Sequence, residues 1–351
     1  MFDTKRRACA KVALFSAFVL FIFSVALFCF ASLRGAYALG SRSAYCAAEV
    51  QTGQTLRSFN EQARLPMAST TKIMTALIVC EECDIDKVVT VPDCAVGKEG
   101  SSIYLKHEEV IDVRDLLYGL MLRSGNDAAE ALAIIHSGST EKFVSHMNER
   151  ARQLGAVNTN FCNPSGLPDE NHYATASDLC RIACYAMHNS FFKKVVGTEH
   201  WQGKYRSYAN KNKMLYNYDG ANGIKTGYTK RAGRCLVSSA ERGGMEVVCV
   251  VLNVGDKYER SAAILDDCFN SYEAVNISPE KIFICGKQLC RIKESATVIN
   301  QRGKEVEYSC VPCEDYNPMD GIIGKLQIYC QNNLIFEANL YSICLLYTSP
   351  S

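Results

Sequence analysis

Three short motifs, and the order in which they occur, constrain the fold of this chain more than any other feature of its sequence. The first is the tetrapeptide Ser69-Thr70-Thr71-Lys72, the second is Ser124-Gly125-Asn126, and the third is Lys225-Thr226-Gly227. Ser69 and Ser124 are 55 residues apart, and Ser124 and Lys225 are 101 residues apart. A fold that uses all three motifs must therefore bring distant segments into one cleft.

Isolated matches to these motifs carry little weight, because serine and lysine are common residues. Further matches to SxxK occur at Ser139/Lys142, Ser190/Lys193 and Ser278/Lys281, and a further SxN occurs at Ser58/Asn60. We interpret the additional serine–lysine pairs as solvated residues on helix faces. Only Ser69 is followed by an SxN and then by a KTG sequence, so the order of the motifs carries the argument.

The first motif predicts a nucleophile with its own base. On a helix, residues at i and i+3 lie on one face with their Cβ atoms about 5 to 6 Å apart, so Lys72 is placed to take the hydroxyl proton of Ser69. A lysine acts as a base only when neutral, which requires a pKa depressed by burial or by a neighbouring cation. Lys225 is the candidate cation, if its strand lines the same cleft. The helix N-terminus would also stabilise a developing oxyanion, and together these features predict acyl transfer through a serine ester.

The ordered triplet is typical of serine β-lactamases and penicillin-binding proteins, whose middle motif is given as SDN where this chain has SGN. Over residues 44–270 the chain resembles the D-alanyl-D-alanine carboxypeptidase family, which are low-molecular-mass penicillin-binding proteins and serine peptidases. The resemblance extends beyond the three motifs to residues 65–77, 100–102, 163–167 and 175–178.

The resemblance implies roles for three catalytic residues. Ser69 would be the nucleophile and Lys72 the general base. Ser124 would pass the proton towards the leaving amine.

The resemblance also implies a set of substrate-binding residues. Asn126 would bind the substrate amide, Lys225 would contribute positive charge, and Thr226 would bind the terminal carboxylate. Gly227 completes the KTG motif, and the backbone N–H groups of Ser69 and Tyr228 would form the oxyanion hole. Arg260, located by counting forward from the KTG motif, would be a second carboxylate-binding residue.

The fold and the reaction follow from the same resemblance. It implies an α/β (α+β) domain like those of serine β-lactamases and transpeptidases, with an antiparallel sheet flanked by helices and a small all-β domain after it. The enzyme would attack the carbonyl of the penultimate D-alanine in a peptidoglycan stem peptide and release the terminal D-alanine. β-Lactam antibiotics, which mimic that dipeptide, would acylate Ser69. No metal or organic cofactor is needed for this chemistry.

Alternatives remain open at this point. The same motifs serve DD-endopeptidases that act on peptidoglycan crosslinks, and the shape of the active site decides between these activities. They also serve β-lactamases, although the absence of an ExxLN sequence near Glu170 argues against a class A enzyme. A non-catalytic wall-binding module is disfavoured because all the principal motif residues are present.

The two ends of the sequence differ from the rest: the first resembles a signal peptide and the last a sequencing adaptor. Basic residues precede an uncharged, mostly apolar run over residues 12–32, which is followed by Ala36-Tyr37-Ala38. This pattern predicts a signal peptide over residues 1–38 and an exported, extracytoplasmic protein, although the run is long enough for a retained membrane anchor. We predict a catalytic domain over residues 39–275 and a truncated β-rich domain over residues 276–343. Residues 344–351 resemble a translated sequencing adaptor.

The composition argues against nucleic acid as a partner and raises the question of what the cysteines and histidines do. The net charge is +1, with 38 basic and 37 acidic residues, so no charge excess favours nucleic acid. Cys180, Cys184 and Cys249 lie in apolar surroundings and are expected to be small buried hydrophobes. Two CxxC pairs lack a partner pair at zinc-ribbon spacing, and the six histidines are scattered, so no metal site is predicted. His172 is expected to be structural.

Overall fold

The computed structural model describes residues 43–313 and 321–343. The predicted signal peptide and residues 344–351 lie outside these ranges. Within the ranges, no helix combines the length and the apolar character that a membrane crossing requires. The α-helices of the described ranges are α1 (Lys72–Glu82), α2 (Val113–Tyr118), α3 (Asn126–Ser137), α4 (Thr140–Gln153), α5 (Ala176–Met187), α6 (Ser190–Gly197), α7 (Met214–Asn217) and α8 (Lys257–Ser271).

An antiparallel sheet organises the first part of the described chain. The strands there are β1 (Ala44–Glu49), β2 (Thr55–Phe59), β3 (Val88–Thr90), β4 (Val110–Asp112), β5 (His200–Gln202), β6 (Ser207–Ala209), β7 (Ala221–Thr229), β8 (Gly233–Arg242) and β9 (Met245–Leu252). Five of them form the central sheet in the order β2-β1-β9-β8-β7, so β7, which carries the KTG motif, is an edge strand. The remaining four form two two-stranded antiparallel sheets, β3 with β4 and β5 with β6.

Helices cover both faces of the central sheet. Every residue of β9 is buried, as expected of a strand that is covered on both sides. Successive side chains of a strand point to opposite faces: Tyr45 of β1 meets Arg260 of α8, whereas Cys46 meets Cys180 of α5. The predicted class, an antiparallel sheet flanked by helices, is confirmed.

Local sequence signals explain two of the elements that define the site. Gly243 and Gly244 form a two-residue turn between β8 and β9, with φ angles of 57° and 77°, and the flanking Arg242 and Met245 pair directly. Such a turn needs positive φ at both positions, which glycine adopts without strain. The other element is α1, whose residues 72–79 are all buried. A helix that is buried all round belongs to the core of the domain, so α1 is a rigid support for the first motif.

A second, all-β part follows α8 directly. Its strands are β10 (Tyr272–Ile277), β11 (Phe283–Cys285), β12 (Gln288–Arg291), β13 (Ala296–Gln301), β14 (Val306–Pro312), β15 (Ile322–Cys330) and β16 (Asn333–Ser342). They form a five-stranded sheet in the order β11-β12-β16-β15-β14 and a separate β10-β13 pair. Residues such as Ile277, Val298 and Leu326 belong to an apolar cluster of their own. The predicted all-β C-terminal domain is confirmed, whereas its boundary at residue 276 stays a prediction.

The three cysteines that were expected to be buried are buried. Cys180, Cys184 and Cys249 are at most 5% exposed. Burial raises the pKa of the Cys249 thiol, with smaller contributions from Cys268 and Cys46, which keeps it protonated. These thiols therefore pack as hydrophobic side chains.

Candidate active site

The first motif forms a tight turn at the start of α1. Residues Ala68–Thr71 adopt a 3-10 turn, and α1 continues from Lys72. The hydroxyls of Thr70 and Thr71 donate to the carbonyls of Met67 and Ala68 over 2.6 and 2.8 Å, which ties the turn to itself. Within residues 67–79, Ser69 alone is partly exposed and the others are buried. The turn therefore presents one hydroxyl to solvent from an otherwise closed surface.

Lys72 is fully buried and has three hydrogen-bond partners. Its Nζ atom lies 3.2 Å from Ser69 Oγ, 2.7 Å from Asn126 Oδ1 and 2.5 Å from the Ser165 carbonyl oxygen. Burial lowers the pKa of Lys72 well below its usual value, and the cationic Lys225 lowers it further. Asp127 opposes this shift. The uncharged amine is therefore available at a lower pH than in an ordinary lysine.

The partners of a neutral Lys72 fix the direction of its lone pair. A neutral amine has two N–H donors and one lone pair. Asn126 Oδ1 and the Ser165 carbonyl can only accept hydrogen bonds, so they use both N–H groups. The lone pair is left for the third partner, Ser69 Oγ, whose O–H can donate to it. This arrangement meets the geometric requirement for a general base that acts on Ser69.

The second motif holds the amide of Asn126 in one orientation. Its Nδ2 donates to the Glu99 carbonyl over 2.6 Å, which leaves Oδ1 to face Lys72. Gly100 makes room for this amide, because a Cβ at that position would lie 2.7 Å from Nδ2. Ser124, two residues before Asn126, is buried and has a left-handed backbone conformation with a φ of 65°. The hydrogen bond from Lys72 to Asn126 therefore joins the first two motifs.

Asp127 anchors the loop beside the second motif. Its carboxylate is buried and accepts hydrogen bonds from the backbone N–H groups of Ile103 and Leu105 and from the hydroxyl of Ser102. Because residues 99–101 also bond Asn126, this carboxylate steadies one wall of the site.

The third motif brings β7 alongside the turn over residues 68–71, which carries Ser69. A Cβ on Gly227 would lie 3.1 Å from the Met67 carbonyl and 3.2 Å from the backbone nitrogen of Ser69. The missing side chain at residue 227 therefore lets the strand approach Ser69 closely, and an added methyl group would require the neighbouring atoms to shift by a few tenths of an ångström. The backbone of Tyr228 follows directly, while its side chain is 63% exposed. Thr226, immediately before Gly227, is partly exposed.

Lys225 lies on the buried side of the same strand. It is 2% exposed, and its Nζ donates to the Thr226 carbonyl over 3.1 Å. Burial lowers the pKa of Lys225 to about 7, assisted by the positive charges of Lys211 and Lys257. The lysine is therefore close to half protonated at neutral pH.

We expect the substitution Lys225→Met to raise the melting temperature by several degrees at pH 7. In the unfolded chain this lysine keeps the usual pKa of 10.5, whereas the folded value is about 7. The unfolded state therefore binds more protons between these pH values, and burial costs about 1.4 kcal/mol for each unit of pKa. Stability contributed at this position rises with pH from 7 towards 10.5, so the advantage of the variant should shrink at pH 9.5. Thermal unfolding at both pH values measures it, with the exposed Lys87→Met as control; a lower melting temperature in Lys225→Met would contradict the argument.

Arg260 is not brought to this cluster by any contact described in residues 43–313. Its guanidinium carbon lies 5.2 Å from the ring centroid of Tyr45, a cation–π distance. Tyr45 is on β1, and β9 and β8 separate β1 from the KTG strand. Counting residues from a motif gives a position along the chain but not the direction of a side chain. The carboxylate-binding role of Arg260 stays a prediction.

Several contributors to the cluster were not predicted as site residues, although Ser165 lies in the segment 163–167 that resembles the family. Ser165 and Glu99 act through backbone carbonyls, which every residue carries. Lys211 lowers the pKa of both Lys72 and Lys225, and its own pKa is lowered by burial and by Arg123. It lies on a loop outside the three motifs, so only the fold places it there.

His172 contacts the turn over residues 68–71 through Thr71. Its Nδ1 accepts a hydrogen bond from the Cys162 N–H over 3.0 Å, so its Nε2 carries the proton and donates to the hydroxyl of Thr71 over 2.7 Å. Burial lowers the pKa of His172 to about 4, with a further lowering by Lys72. The imidazole is therefore neutral, and the expectation that it is structural agrees with these contacts.

The chain is similar to known proteins over the region that carries the three motifs. The profile of the D-alanyl-D-alanine carboxypeptidase family matches residues 37–256, which is more than half of the chain. The chain belongs to the D-alanyl-D-alanine carboxypeptidase family. The matched range contains every predicted site residue of the three motifs together with Tyr228, and it ends before Arg260.

Individual members of the D-alanyl-D-alanine carboxypeptidase family are similar over the same region. The chain is 38% identical over 239 residues to D-alanyl-D-alanine carboxypeptidase DacF of Bacillus subtilis, which covers 64% of this chain and 61% of DacF. It is 39% identical over 223 residues to the D-alanyl-D-alanine carboxypeptidase of Streptomyces sp. strain K15, with 57% and 77% covered. The chain thus spans less than two thirds of the length of DacF.

A solved structure extends the similarity beyond the family region. Penicillin binding protein 5 of Haemophilus influenzae superposes with a TM-score of 0.71 at 26% identity, covering 86% of this chain and 96% of that one. The all-β part of the chain is therefore included in the shared architecture.

Proposed function

We propose that the chain is a serine D-alanyl-D-alanine carboxypeptidase that removes the terminal D-alanine from peptidoglycan stem peptides through an acyl-enzyme on Ser69. The observation that carries the proposal is the arrangement around Lys72, whose two hydrogen-bond acceptors leave its lone pair for the Ser69 hydroxyl. Family membership supports the choice of substrate.

Acylation begins when Lys72 takes the proton of Ser69 and Ser69 Oγ attacks the carbonyl carbon of the penultimate D-alanine. The backbone N–H groups of Ser69 and Tyr228 stabilise the resulting oxyanion. Gly227, which precedes Tyr228, packs against the backbone of Ser69, which supports this assignment. The tetrahedral intermediate then expels the amine of the terminal D-alanine. Ser124 passes to that amine the proton that Lys72 had taken, and an ester on Ser69 remains.

Deacylation and binding complete the cycle. Water hydrolyses the ester and regenerates the Ser69 hydroxyl. Asn126 bonds the substrate amide, and Thr226 binds the terminal carboxylate, with Lys225 as the nearby positive charge and Arg260 as a predicted second contact. β-Lactam antibiotics would acylate the same serine. A substrate of this kind implies that the protein acts outside the cytoplasm, in the cell wall or at the outer face of the membrane.

Two related activities use the same residues. A DD-endopeptidase cleaves a crosslink in place of a terminal residue, and a β-lactamase hydrolyses the antibiotic ester rapidly. A structural neighbour with 34% identity and a TM-score of 0.61 is described as the Streptomyces K15 DD-transpeptidase, so an amine can replace water as acceptor in that protein. The proposal favours release of D-alanine, because DacF of Bacillus subtilis and the family that matches the chain are both named for that activity.

One parallel assay separates these activities. The chain is incubated with diacetyl-Lys-D-Ala-D-Ala, with a crosslinked stem-peptide dimer and with a chromogenic cephalosporin, and Ser69→Ala supplies the background. We expect free D-alanine from the first substrate in the wild type only. Labelling of Ser69 by fluorescent penicillin together with dimer cleavage and no D-alanine release would replace the proposal with an endopeptidase. Rapid turnover of the cephalosporin would replace it with a β-lactamase.

A further inference from the structure

Three side chains that are far apart in the sequence meet where the C-terminal ends of α1 and α3 approach the middle of α4. They are Glu82, the last residue of α1, His136, in the last turn of α3, and His146, in the middle of α4. The two carboxylate oxygens of Glu82 lie 2.9 Å from His136 Nε2 and 2.9 Å from His146 Nε2 respectively. One ligand atom from each residue lies within 4.8 Å of the others.

The donor set is that of a transition-metal site. Two imidazole nitrogens and one carboxylate oxygen are common zinc ligands, and a tetrahedral ion with three protein ligands keeps one position for water. The exposed fractions of the side chains of His136 and His146 are 13% and 30%, which leaves a path for an ion.

Further contacts hold His136 in the orientation that a metal requires. Its Nδ1 lies 2.7 Å from Ser137 Oγ, and its ring packs edge-on against Phe143 with centroids 5.3 Å apart. When Nδ1–H donates to Ser137, Nε2 presents a lone pair towards Glu82 and His146. Partners of this kind fix the tautomer and the ring direction of histidines that bind metals.

We propose that Glu82, His136 and His146 together bind one divalent transition-metal ion, for which Zn²⁺ is the best match. In the metal-free protein the Nε2 atoms of both histidines bond Glu82. When the ion binds, each ring carries its proton on Nδ1, so binding needs no redox partner. The ion is a structural ligand of α1, α3 and α4. It takes no part in acyl transfer, because Glu82 is ten residues beyond Lys72, or about 15 Å along the helix.

The position of this site gives it a consequence for the active site. The opposite ends of α1 and α3 carry Lys72 and Asn126, which are hydrogen-bonded over 2.7 Å. An ion at the far ends would join the same two helices a second time and so limit their relative motion. The site stands on its own residues and does not depend on the proposed reaction.

Cobalt titration tests the proposal on the whole chain after treatment with a chelator and a thiol-free reductant. We expect one equivalent of Co²⁺ to give the visible absorption of a tetrahedral site without thiolate charge-transfer bands, and Zn²⁺ to displace it. His146→Gln and the double variant His136→Gln/His146→Gln should weaken binding by more than about tenfold, since even partners outside the ligand set change affinity by that factor. The control is His107→Gln, which removes an exposed histidine paired with a single carboxylate, Asp93.

Stability supplies a second measurement that does not need a spectrum. At about a hundredfold excess of Zn²⁺ over its dissociation constant, the melting temperature of the wild type should rise by about 5 °C, and that of the double variant should not. Equal melting temperatures of the two proteins in chelator would show that the variant folds. Absence of metal binding by the wild type, unchanged binding by the folded double variant, or thiolate bands that reveal cysteine ligands would each overturn the proposal.

Discussion

Replacing Lys72 with methionine is expected to lower the rate of Ser69 acylation by about 10⁴-fold, the upper end of what a positioned general base contributes. Methionine has nearly the length of lysine and suits a buried position, but it has no lone pair that can take the serine proton. The Lys72 amine lies 3.2 Å from Ser69 Oγ, and no other titratable side chain contacts that oxygen among the described hydrogen bonds. The measurement is the second-order rate constant for labelling by fluorescent penicillin, together with kcat/KM for release of D-alanine.

The pH dependence of the same rate distinguishes a base from a structural residue. Because the pKa of Lys72 lies well below 10.5, acylation by the wild type should rise with pH and reach its plateau well before pH 10. The residual rate of Lys72→Met should lack this step. Lys142→Met is the matched control, because Lys142 also follows a serine by three residues and is exposed. A Lys72→Met protein that folds and is acylated at the rate of the control would show that the base is another group.

Some parts of the fold have local signals in the sequence. The β1–β2 hairpin, the apolar helix after Ser69 and the glycine turn between β8 and β9 agree with periodicity and turn chemistry, which act over a few residues. The largest departure within them is at the first motif, where the structure has a 3-10 turn over residues 68–71 before α1 begins. Ser69 and Lys72 still meet, because i and i+3 lie on one face in both kinds of helix.

The parts of the site that were not predicted depend on contacts between distant segments. The Ser165 carbonyl reaches Lys72 across 93 residues of sequence, and a carbonyl leaves no mark on the residue type. Glu82 and His146 are 64 residues apart, so histidines that look scattered in the sequence form a pair only after α1, α3 and α4 have packed. Arg260 illustrates the converse, since its position on α8 is as counted while its side chain meets Tyr45.

The substitution Gly166→Ala is expected to lower acylation of Ser69 by about 100-fold or more, the cost of a misplacement of roughly 1 Å at a reacting group. Gly166 has a φ of +85°, and an added Cβ would lie 2.0 Å from the Ala68 carbonyl oxygen and 2.9 Å from the backbone nitrogen of Ser69. These are backbone atoms of the turn over residues 68–71, so relief of the clash must move that turn itself. The preceding residue, Ser165, would move with it and disturb its hydrogen bond to Lys72.

A second glycine separates this clash from simple backbone strain. Gly138, at the end of α3, has a φ of +78°, and a Cβ there would meet nothing within 4 Å. Gly138→Ala therefore carries the cost of about 1 to 2 kcal/mol for a left-handed alanine and leaves the site intact. We expect the two variants to lose comparable stability from strain alone, with an additional loss in Gly166→Ala, and only Gly166→Ala to be acylated slowly by penicillin. Equal acylation rates in the two folded proteins would mean that the turn accommodates a methyl group without moving Ser69. The inference that Gly166 holds the Ser69 turn in place would then be wrong.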